Sequence, residues 1–340
     1  MIFYYDSEKN VYNTQWEAVA SGKRCWLYYY NDVFNSIDWK KEPTESLDNL
    51  YKFRAQEIRD SYDYVILCYS GGHDSTNILE TFYYNNIHID EIVLIGTFSQ
   101  DSYSGSDENR NAEIHLNCFP TLKKMNLPKT KITIADYSEY FSDPKKFTLI
   151  KNYGNEWIKH IGTMKSVGHL FWYDFKQFIG EKNDKKTCYI MGVEKLNYSR
   201  GSFMINDYNL YTYGGIYKNE NFERVNFYTS PNKTCLDIMR KQAHIIKKAN
   251  SLNIQGLRKI DCFDKDWETA YERVIYNLKN PISYESPKSK FSTFSTRDQF
   301  ILKNKQTEIY KYYEHGKEIL NRYVPDNSKI IFFTKSYQIE

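Results

Sequence analysis

The hydrophobic pattern in the middle of the chain alternates between short β-rich runs and longer helical ones. Residues 64–69 form a short apolar run rich in β-branched side chains, which is typical of a strand buried on both faces. Residues 75–84 then place Ile78, Leu79 and Phe82 on one helix face. The same alternation predicts strands at 92–95, 131–134 and 188–192 and helices at 107–125 and 157–178. Strands that alternate with helices indicate βαβ units, so we expect an α/β fold with a doubly wound, mostly parallel sheet.

The two ends of the chain have different patterns. Short candidate strands at 1–5 and 26–30 and a helix at 46–59 come first, whereas the pattern after residue 230 is mainly helical, with helices at 234–252 and 266–278. We therefore expect three parts: an N-terminal extension packed on the core at 1–60, the α/β domain at 61–230, and a mainly helical C-terminal substrate region at 231–340.

Composition and charge exclude several classes of protein. The 340 residues include 46 Lys+Arg and 43 Asp+Glu, and this near balance gives no electrostatic reason to expect a dedicated binder of nucleic acid or membrane surfaces. The chain is 41% hydrophobic, which predicts a packed core and excludes wholesale disorder. Six widely spaced cysteines contain no C-x-x-C pair, so neither a structural zinc site nor a disulfide scaffold is predicted.

Targeting and membrane signals are not found in the sequence. The first residues lack a basic segment followed by an apolar one, and no apolar run approaches the roughly 20 residues of a membrane-spanning helix. We therefore expect a soluble protein that does not enter a membrane. Its expected location is the cytoplasm, or the host cytoplasm if the chain is encoded by a virus.

A glycine-containing loop joins the first predicted strand of the α/β domain to its first helix. The loop reads Ser70, Gly71, Gly72, His73, Asp74, Ser75 and Thr76. Glycines let the backbone curl so that successive N–H groups point inward, and the helix N-terminus adds partial positive charge, which together predict a phosphate site. A carboxylate among phosphate donors is expected if Asp74 holds Mg²⁺ against the phosphates. The alternative is a purely structural Asp74 that caps the helix.

This loop matches neither of the two commoner nucleotide-binding loops, because it lacks the Walker lysine and contains no G-x-G-x-x-G. It resembles the PP-loop, S-G-G-x-D-S, of the N-type ATP pyrophosphatases, with every fixed position matched from Ser70 to Ser75. That superfamily includes the synthetase domain of asparagine synthetase, GMP synthetase, NAD synthetase and tRNA-lysidine synthetase. The resemblance covers roughly residues 60–200, is strongest toward asparagine synthetase, and implies a HUP-like fold related to the adenine nucleotide alpha hydrolases.

The resemblance also implies an activity. In that superfamily ATP is cleaved between its α and β phosphates after an oxygen of the substrate attacks the α-phosphorus, and a nitrogen or sulfur nucleophile then displaces AMP. Asp74 would be catalytic and bind Mg²⁺. The residues expected to bind ATP are Ser70, Gly71, Gly72, His73, Ser75 and Thr76. Such chemistry depends on positioning and charge neutralisation rather than on a protein nucleophile.

A second group of polar residues follows the strand predicted at 188–192. Ligands of doubly wound sheets lie at the carboxyl ends of the strands, so this segment should face the first loop. Lys195 is then a catalytic cation that neutralises phosphates, Glu194 a second Mg²⁺ ligand, and Gly192 and Arg200 nucleotide contacts. The segment departs from the G-x-G-S-D-E pattern of asparagine synthetase, and an ordinary solvated Glu194–Lys195 pair is the alternative.

The adenine position is predicted by family analogy alone. Thr97 and Phe98 follow the second strand of the α/β domain, where backbone groups would read the edge of the base. Phe98 fits the hydrophobic core equally well.

Our first hypothesis is an ATP-dependent, AMP- and pyrophosphate-forming ligase that adenylates a carboxylate or carbonyl oxygen and passes it to nitrogen. The first cysteine is Cys25, so no N-terminal glutaminase nucleophile is expected, and ammonia would come from solution, a partner or an amine substrate. One alternative is a PP-loop enzyme that modifies a nucleobase or tRNA. Its phosphate contacts would be the basic residues Arg240, Lys241, Lys247, Lys248, Arg258 and Lys259. Another alternative is a nucleotide sensor without turnover.

Overall fold

The computed structural model describes residues 2–96, 114–136, 143–160, 174, 182, 184–192, 195–206, 222–252, 259–265, 267–280, 305–323 and 331–339. The strands in this part of the chain are Ile2–Asp6 (β1), Val11–Tyr12 (β2), Cys25–Tyr29 (β3), Tyr64–Cys68 (β4), Glu91–Gly96 (β5), Lys131–Asp136 (β6), Thr187–Met191 (β7), Asn197–Ser199 (β8), Ser202–Met204 (β9), Phe222–Asn226 (β10) and Tyr337–Gln338 (β11). The α-helices are Gln15–Ala20 (α1), Asn31–Asn35 (α2), Leu47–Ser61 (α3), His73–Tyr84 (α4), Phe119–Lys124 (α5), Thr148–Tyr153 (α6), Lys233–Ser251 (α7), Trp267–Ile275 (α8) and Glu308–Tyr323 (α9).

A five-stranded parallel sheet forms the centre of the molecule, in the spatial order β10-β7-β4-β5-β6. The register places Ile66 of β4 between Glu91 of β5 and Tyr189 of β7. Counted from β4, the chain builds the sheet outward on one side through β5 and β6. It then returns to the other side of β4 to add β7 and β10. The strand order therefore reverses between β4 and β7, where ligands of such sheets bind.

Both faces of this sheet are covered, which explains why its strands are apolar at successive positions. Val65 and Leu67 point to one face and join a core with residues of α3, α4 and α7. Ile66 and Cys68 point to the other face, where they join a second core that includes Trp157 and side chains of α9. The α/β fold with a parallel sheet predicted from the sequence is confirmed.

Apart from two helices, the predicted strands and helices agree with the structure in position, with differences at their ends. The helix expected at 157–178 is represented in the described residues by a short 3₁₀ segment, Gly154–His160, and the helix expected at 107–125 by a π-helical turn, Ile114–Cys118, followed by α5. The remainder of both predicted helices lies outside the described residues, apart from Asp174.

Two small antiparallel sheets flank the parallel one. The order β2-β1-β3 in the first confirms strands near both candidate positions of the N-terminal extension, and its Tyr4 and Leu27 join the same core as α3 and α4. The second, β11-β9-β8, brings the C-terminal β11 beside a hairpin that follows β7, which the sequence did not predict. The division into three parts stays a prediction. Among the described residues, none of the helices combines the length and the apolar character that crossing a membrane requires.

Candidate functional site

The loop between β4 and α4 is held in shape by its glycines and serines. Gly71 has φ +78°, a left-handed conformation that favours glycine. Gly72 is the N-cap of α4 and has no side chain that could cap the helix amides, which is how anion-binding helix termini begin. The Ser70 and Ser75 hydroxyls lie 3.1 Å apart, and the Ser75 hydroxyl also donates to the Gly72 carbonyl at 3.2 Å. Two hydroxyl groups therefore lie together at the start of α4.

Gly192, directly after β7, brings the second predicted segment against this loop. A Cβ atom at Gly192 would lie 2.9 Å from the Ser75 amide nitrogen and 3.0 Å from the Asp74 carbonyl carbon, closer than side-chain carbons approach backbone atoms. Only glycine fits this contact without a backbone shift. The two segments are thus adjacent, as expected from the strand ends.

Lys195 reaches across this contact to Asp74. Its Nζ donates to Asp74 Oδ2 at 2.7 Å and lies 3.4 Å from Glu272 Oε1, with 15% of the Lys195 side chain exposed. Burial alone lowers the pKa of Lys195, but the carboxylates of Asp74, Glu268 and Glu272 together raise it above its ordinary value. Lys195 is therefore a charged ammonium that is largely shielded from solvent, and it is not the solvated side chain of the alternative.

Asp74 is held on three sides. Its Oδ1 accepts a hydrogen bond from the Tyr276 hydroxyl at 2.5 Å, and its backbone carbonyl accepts one from the Tyr228 hydroxyl at 2.7 Å. Burial raises the pKa of both tyrosines well above their ordinary value, and the charge of Asp74 adds to the effect, so both hydroxyls stay protonated. Asp74 lies inside the first turn of α4 and Gly72 is the N-cap, so the alternative of a capping Asp74 is wrong.

Two predicted loop contacts face the protein interior instead. His73 is buried, and its Nδ1 lies 2.8 Å from Glu272 Oε2. Thr76 is buried, and its hydroxyl lies 3.3 Å from that of Tyr69. Because α4 turns these side chains away from the loop, we no longer assign them phosphate contacts.

The other predicted residues are not brought to the loop. Arg200 is exposed at the turn between β8 and β9, with φ +45°, and no contact between it and the loop is found among the described residues. Glu194, Thr97 and Phe98 lie outside the described residues.

Sequence reasoning missed the contribution of the C-terminal region. Glu272 and Tyr276, which contact His73, Asp74 and Lys195, lie far along the chain from the loop. One signal for them was present: Glu268, Glu272 and Tyr276 recur at intervals of four, the spacing of a single helix face.

The loop fits phosphate groups better than a metal held by the protein. Backbone amides, two serine hydroxyls and the Lys195 ammonium are all donors suited to phosphate oxygens. Both oxygens of Asp74 already accept hydrogen bonds, so a Mg²⁺ ion at Asp74 competes with Lys195 or Tyr276. The described residues contain no group of three or more His, Cys, Asp or Glu side chains that could hold a metal ion. Mg²⁺ binding stays a prediction.

Comparison with known proteins adds no relative to this description. No family model matches the chain, and a search of the curated proteins finds no match.

A cavity of about 410 Å³ lies between α3 and β10, but no residue of the loop lines it. The candidate site therefore depends on the geometry around Asp74 and on the sequence of its loop.

Proposed function

We propose that this protein is an ATP pyrophosphatase-type ligase of the PP-loop superfamily, with a HUP-like nucleotide-binding domain, that forms AMP and pyrophosphate from ATP. One observation carries the proposal: the loop 70–76 and Lys195 meet where the strand order reverses, between β4 and β7. That position, the S-G-G-x-D-S sequence and a largely shielded ammonium together favour a nucleotide's phosphates as the ligand.

In this proposal the loop binds the β and γ phosphates, which leave as pyrophosphate. The backbone amides of the loop and the hydroxyls of Ser70 and Ser75 donate to the phosphate oxygens, while the left-handed Gly71 keeps the backbone curled around them. Lys195 has three N–H donors and contacts two carboxylates, Asp74 and Glu272, so one N–H remains to donate to the departing pyrophosphate, whose developing charge its ammonium opposes.

The reaction then proceeds in two transfers. A carboxylate or carbonyl oxygen of the acceptor bonds to the α-phosphorus, the bond from that phosphorus to the bridging oxygen breaks, and pyrophosphate leaves with the electron pair. A nitrogen nucleophile next attacks the activated carbon and loses a proton, and AMP leaves. The protein contributes position and charge neutralisation to both transfers. Mg²⁺ that enters on the nucleotide would neutralise further phosphate charge when bound.

No described contact favours the alternative of a tRNA- or nucleobase-modifying enzyme. Two of the basic residues that would contact phosphates are already paired with acidic ones: Arg240 lies 2.5 Å from Asp237 and Lys241 lies 2.7 Å from Glu42. Paired basic side chains present less positive potential to nucleic acid. The sensor alternative differs from the proposal in one measurable way, which is the absence of AMP.

Product analysis tests the proposal. Purified protein is incubated with ATP, Mg²⁺ and a mixture of carboxylates, amines and RNA, and the nucleotides are separated. The expected result is AMP and pyrophosphate in equal amounts, lost in a Ser70→Ala and Asp74→Asn double variant. ADP and phosphate as products would contradict the proposal, and ATP binding without any hydrolysis would favour the sensor. The fraction of the mixture that stimulates AMP formation identifies the acceptor class.

A further inference from the structure

Helix α8 of the C-terminal region contacts the loop 70–76. The residues that make these contacts belong neither to the loop nor to the segment after β7. Glu272 of α8 lies between His73 and Lys195, at 2.8 Å and 3.4 Å, and is only 3% exposed. Tyr276, one turn later, continues the helix through a backbone hydrogen bond to Glu272 and places its hydroxyl 2.5 Å from Asp74 Oδ1. One helical stretch therefore contacts three residues of the two motifs.

Asp74 consequently has a defined orientation. Lys195 donates to one carboxylate oxygen and Tyr276 donates to the other, so rotation of the carboxylate would break one of two charge-assisted hydrogen bonds. The Lys195 ammonium is oriented in turn by Asp74 and Glu272. The aromatic ring of Tyr276 packs against Tyr228 and Tyr271 whether or not its hydroxyl is present. The hydroxyl is therefore not needed for this packing.

We propose that Tyr276 and Glu272 are positioning residues of the nucleotide site: α8 fixes the Asp74–Lys195 pair in the orientation that the transferring phosphate needs. This inference depends on the proposed function, because it assigns the pair a role in ATP cleavage. It also gives the C-terminal region a direct link to the loop. An acceptor bound by that region would therefore affect the position of Lys195 through α8.

Tyr276→Phe tests the inference, because it removes only the hydroxyl. Tyr51→Phe is the matched control: Tyr51 belongs to the same buried tyrosine cluster, but its hydroxyl bonds to Gln242 at 3.0 Å and makes no contact with the Asp74 side chain. Glu272→Gln keeps the size of the side chain and removes its charge. Each variant is assayed for AMP formation with ATP, Mg²⁺ and the acceptor mixture, for ATP binding by calorimetry, and for thermal unfolding.

The expected result is a loss of kcat of about ten- to a hundredfold in Tyr276→Phe and in Glu272→Gln, with KM for ATP changed by less than about threefold. Tyr51→Phe should keep the wild-type kcat. Wild-type kcat in both Tyr276→Phe and Glu272→Gln would overturn the inference and leave the proposed function standing. An equal loss in Tyr51→Phe would also overturn it, since the loss would then come from the packing of the tyrosine cluster. If wild-type protein binds no ATP and forms no AMP, the proposed function fails and the inference fails with it.

Discussion

Two carboxylates in this molecule, one half-buried and one fully buried, are held by a lysine and a tyrosine at opposite ends of the parallel sheet. Asp74, at the carboxyl ends of the strands, contacts the ammonium of Lys195 and the hydroxyl of Tyr276. Glu91, at the amino end of β5, contacts the ammonium of Lys182 at 2.8 Å and the hydroxyl of Tyr64 at 2.9 Å. At Asp74 the lysine and the tyrosine hold different oxygens, whereas at Glu91 both contact Oε2 and the Thr133 hydroxyl donates to Oε1.

The partners of the two carboxylates come from different places. Tyr64 and Thr133, which both donate to Glu91, lie on the strands that flank β5, so this cluster fastens three neighbouring strands together. Asp74 instead receives its partners from a segment after β7 and from the end of α8. Ligands of doubly wound sheets lie outside the carboxyl ends of the strands. The same chemistry therefore serves stability at Glu91 and, in our proposal, catalysis at Asp74.

Neutralising one member of the Asp74–Lys195 pair should produce the largest effect. Asp74→Asn and Lys195→Ala are expected to reduce pyrophosphate release by at least about a hundredfold, because the first removes the carboxylate that orients Lys195 and the second removes the cation that neutralises phosphate charge. Circular dichroism should show that the fold is kept. Glu91→Gln is the control, with wild-type turnover per folded molecule. Normal turnover in both site variants would remove Asp74 and Lys195 from the site.

Glu91→Gln should reduce the free energy of unfolding more than the variants of Asp74 and Lys195 do. Glu91 is 0% exposed, and its replacement leaves two lysine ammonium groups, Lys182 and Lys131, without their carboxylate. The expected loss is about 3 kcal/mol in the free energy of unfolding, measured by urea denaturation. Lys131→Met, which removes the more exposed lysine, should cost less than about 1 kcal/mol. Equal losses in the two variants would contradict a buried structural role for Glu91.

Gly192→Ala tests the close contact between the end of β7 and the loop at the carboxyl ends of the strands. The added methyl group meets the backbone of Ser75 and Asp74, so we expect a loss of about 2 kcal/mol in unfolding free energy together with weaker ATP binding. Gly72→Ala is the matched control for stability alone, because Gly72 has φ −78° and its added Cβ would lie 3.4 Å from the Ser70 hydroxyl, an ordinary contact. Stability equal to wild type in Gly192→Ala would show that β7 and α4 can separate without cost.

The smallest effect should be a difference in acid sensitivity. Burial raises the pKa of Glu91, but hydrogen bonds from Lys182, Thr133 and Tyr64 outweigh it and lower the pKa below its ordinary value. A lowered folded-state pKa contributes stability above the unfolded-state pKa, about 4.3, and that contribution disappears as the pH falls through the folded-state value. The stability difference between wild type and Glu91→Gln should therefore be constant from pH 7 to about 5 and shrink below that range. A difference that grows on acidification would contradict the sign of this shift.

Local patterns were enough for much of the fold. Four strands of the parallel sheet, β4 to β7, and helices α3, α4, α7 and α8 were predicted close to their observed positions, since a buried strand and a helix with one apolar face each leave a recognisable pattern. The fifth strand, β10, and the β8–β9 hairpin were missed. In β10 only Phe222 and Val225 are apolar, so it forms no continuous apolar run, and β8 and β9 have three residues each, too few for a period to appear.

The residues of the candidate site also divide into those that local patterns predicted and those that they did not. Ser70, Gly71, Gly72 and Ser75 were predicted as one loop because they are consecutive and their glycines and hydroxyls have a direct local purpose. The approach of the Lys195 segment to the loop followed from the rule that strand carboxyl ends share one edge of the sheet, whereas the ion pair of Lys195 with Asp74 was not predicted. His73 and Thr76 were assigned to the loop for the same local reason, although the structure turns them inward.

The loop, the parallel α/β architecture and the importance of Asp74 were predictable from the chain alone, because they depend on neighbours along the chain or on a repeating pattern. The residues that complete the Asp74 site, and the whole cluster around Glu91, depend on tertiary contacts. Tyr276 lies near Asp74 because α8 packs against α7 and its end meets the start of α4, and Lys182 meets Glu91 from a distant part of the chain. A hydrogen bond between residues far apart in sequence depends on the placement of whole helices and strands, and no local pattern of side chains encodes that placement.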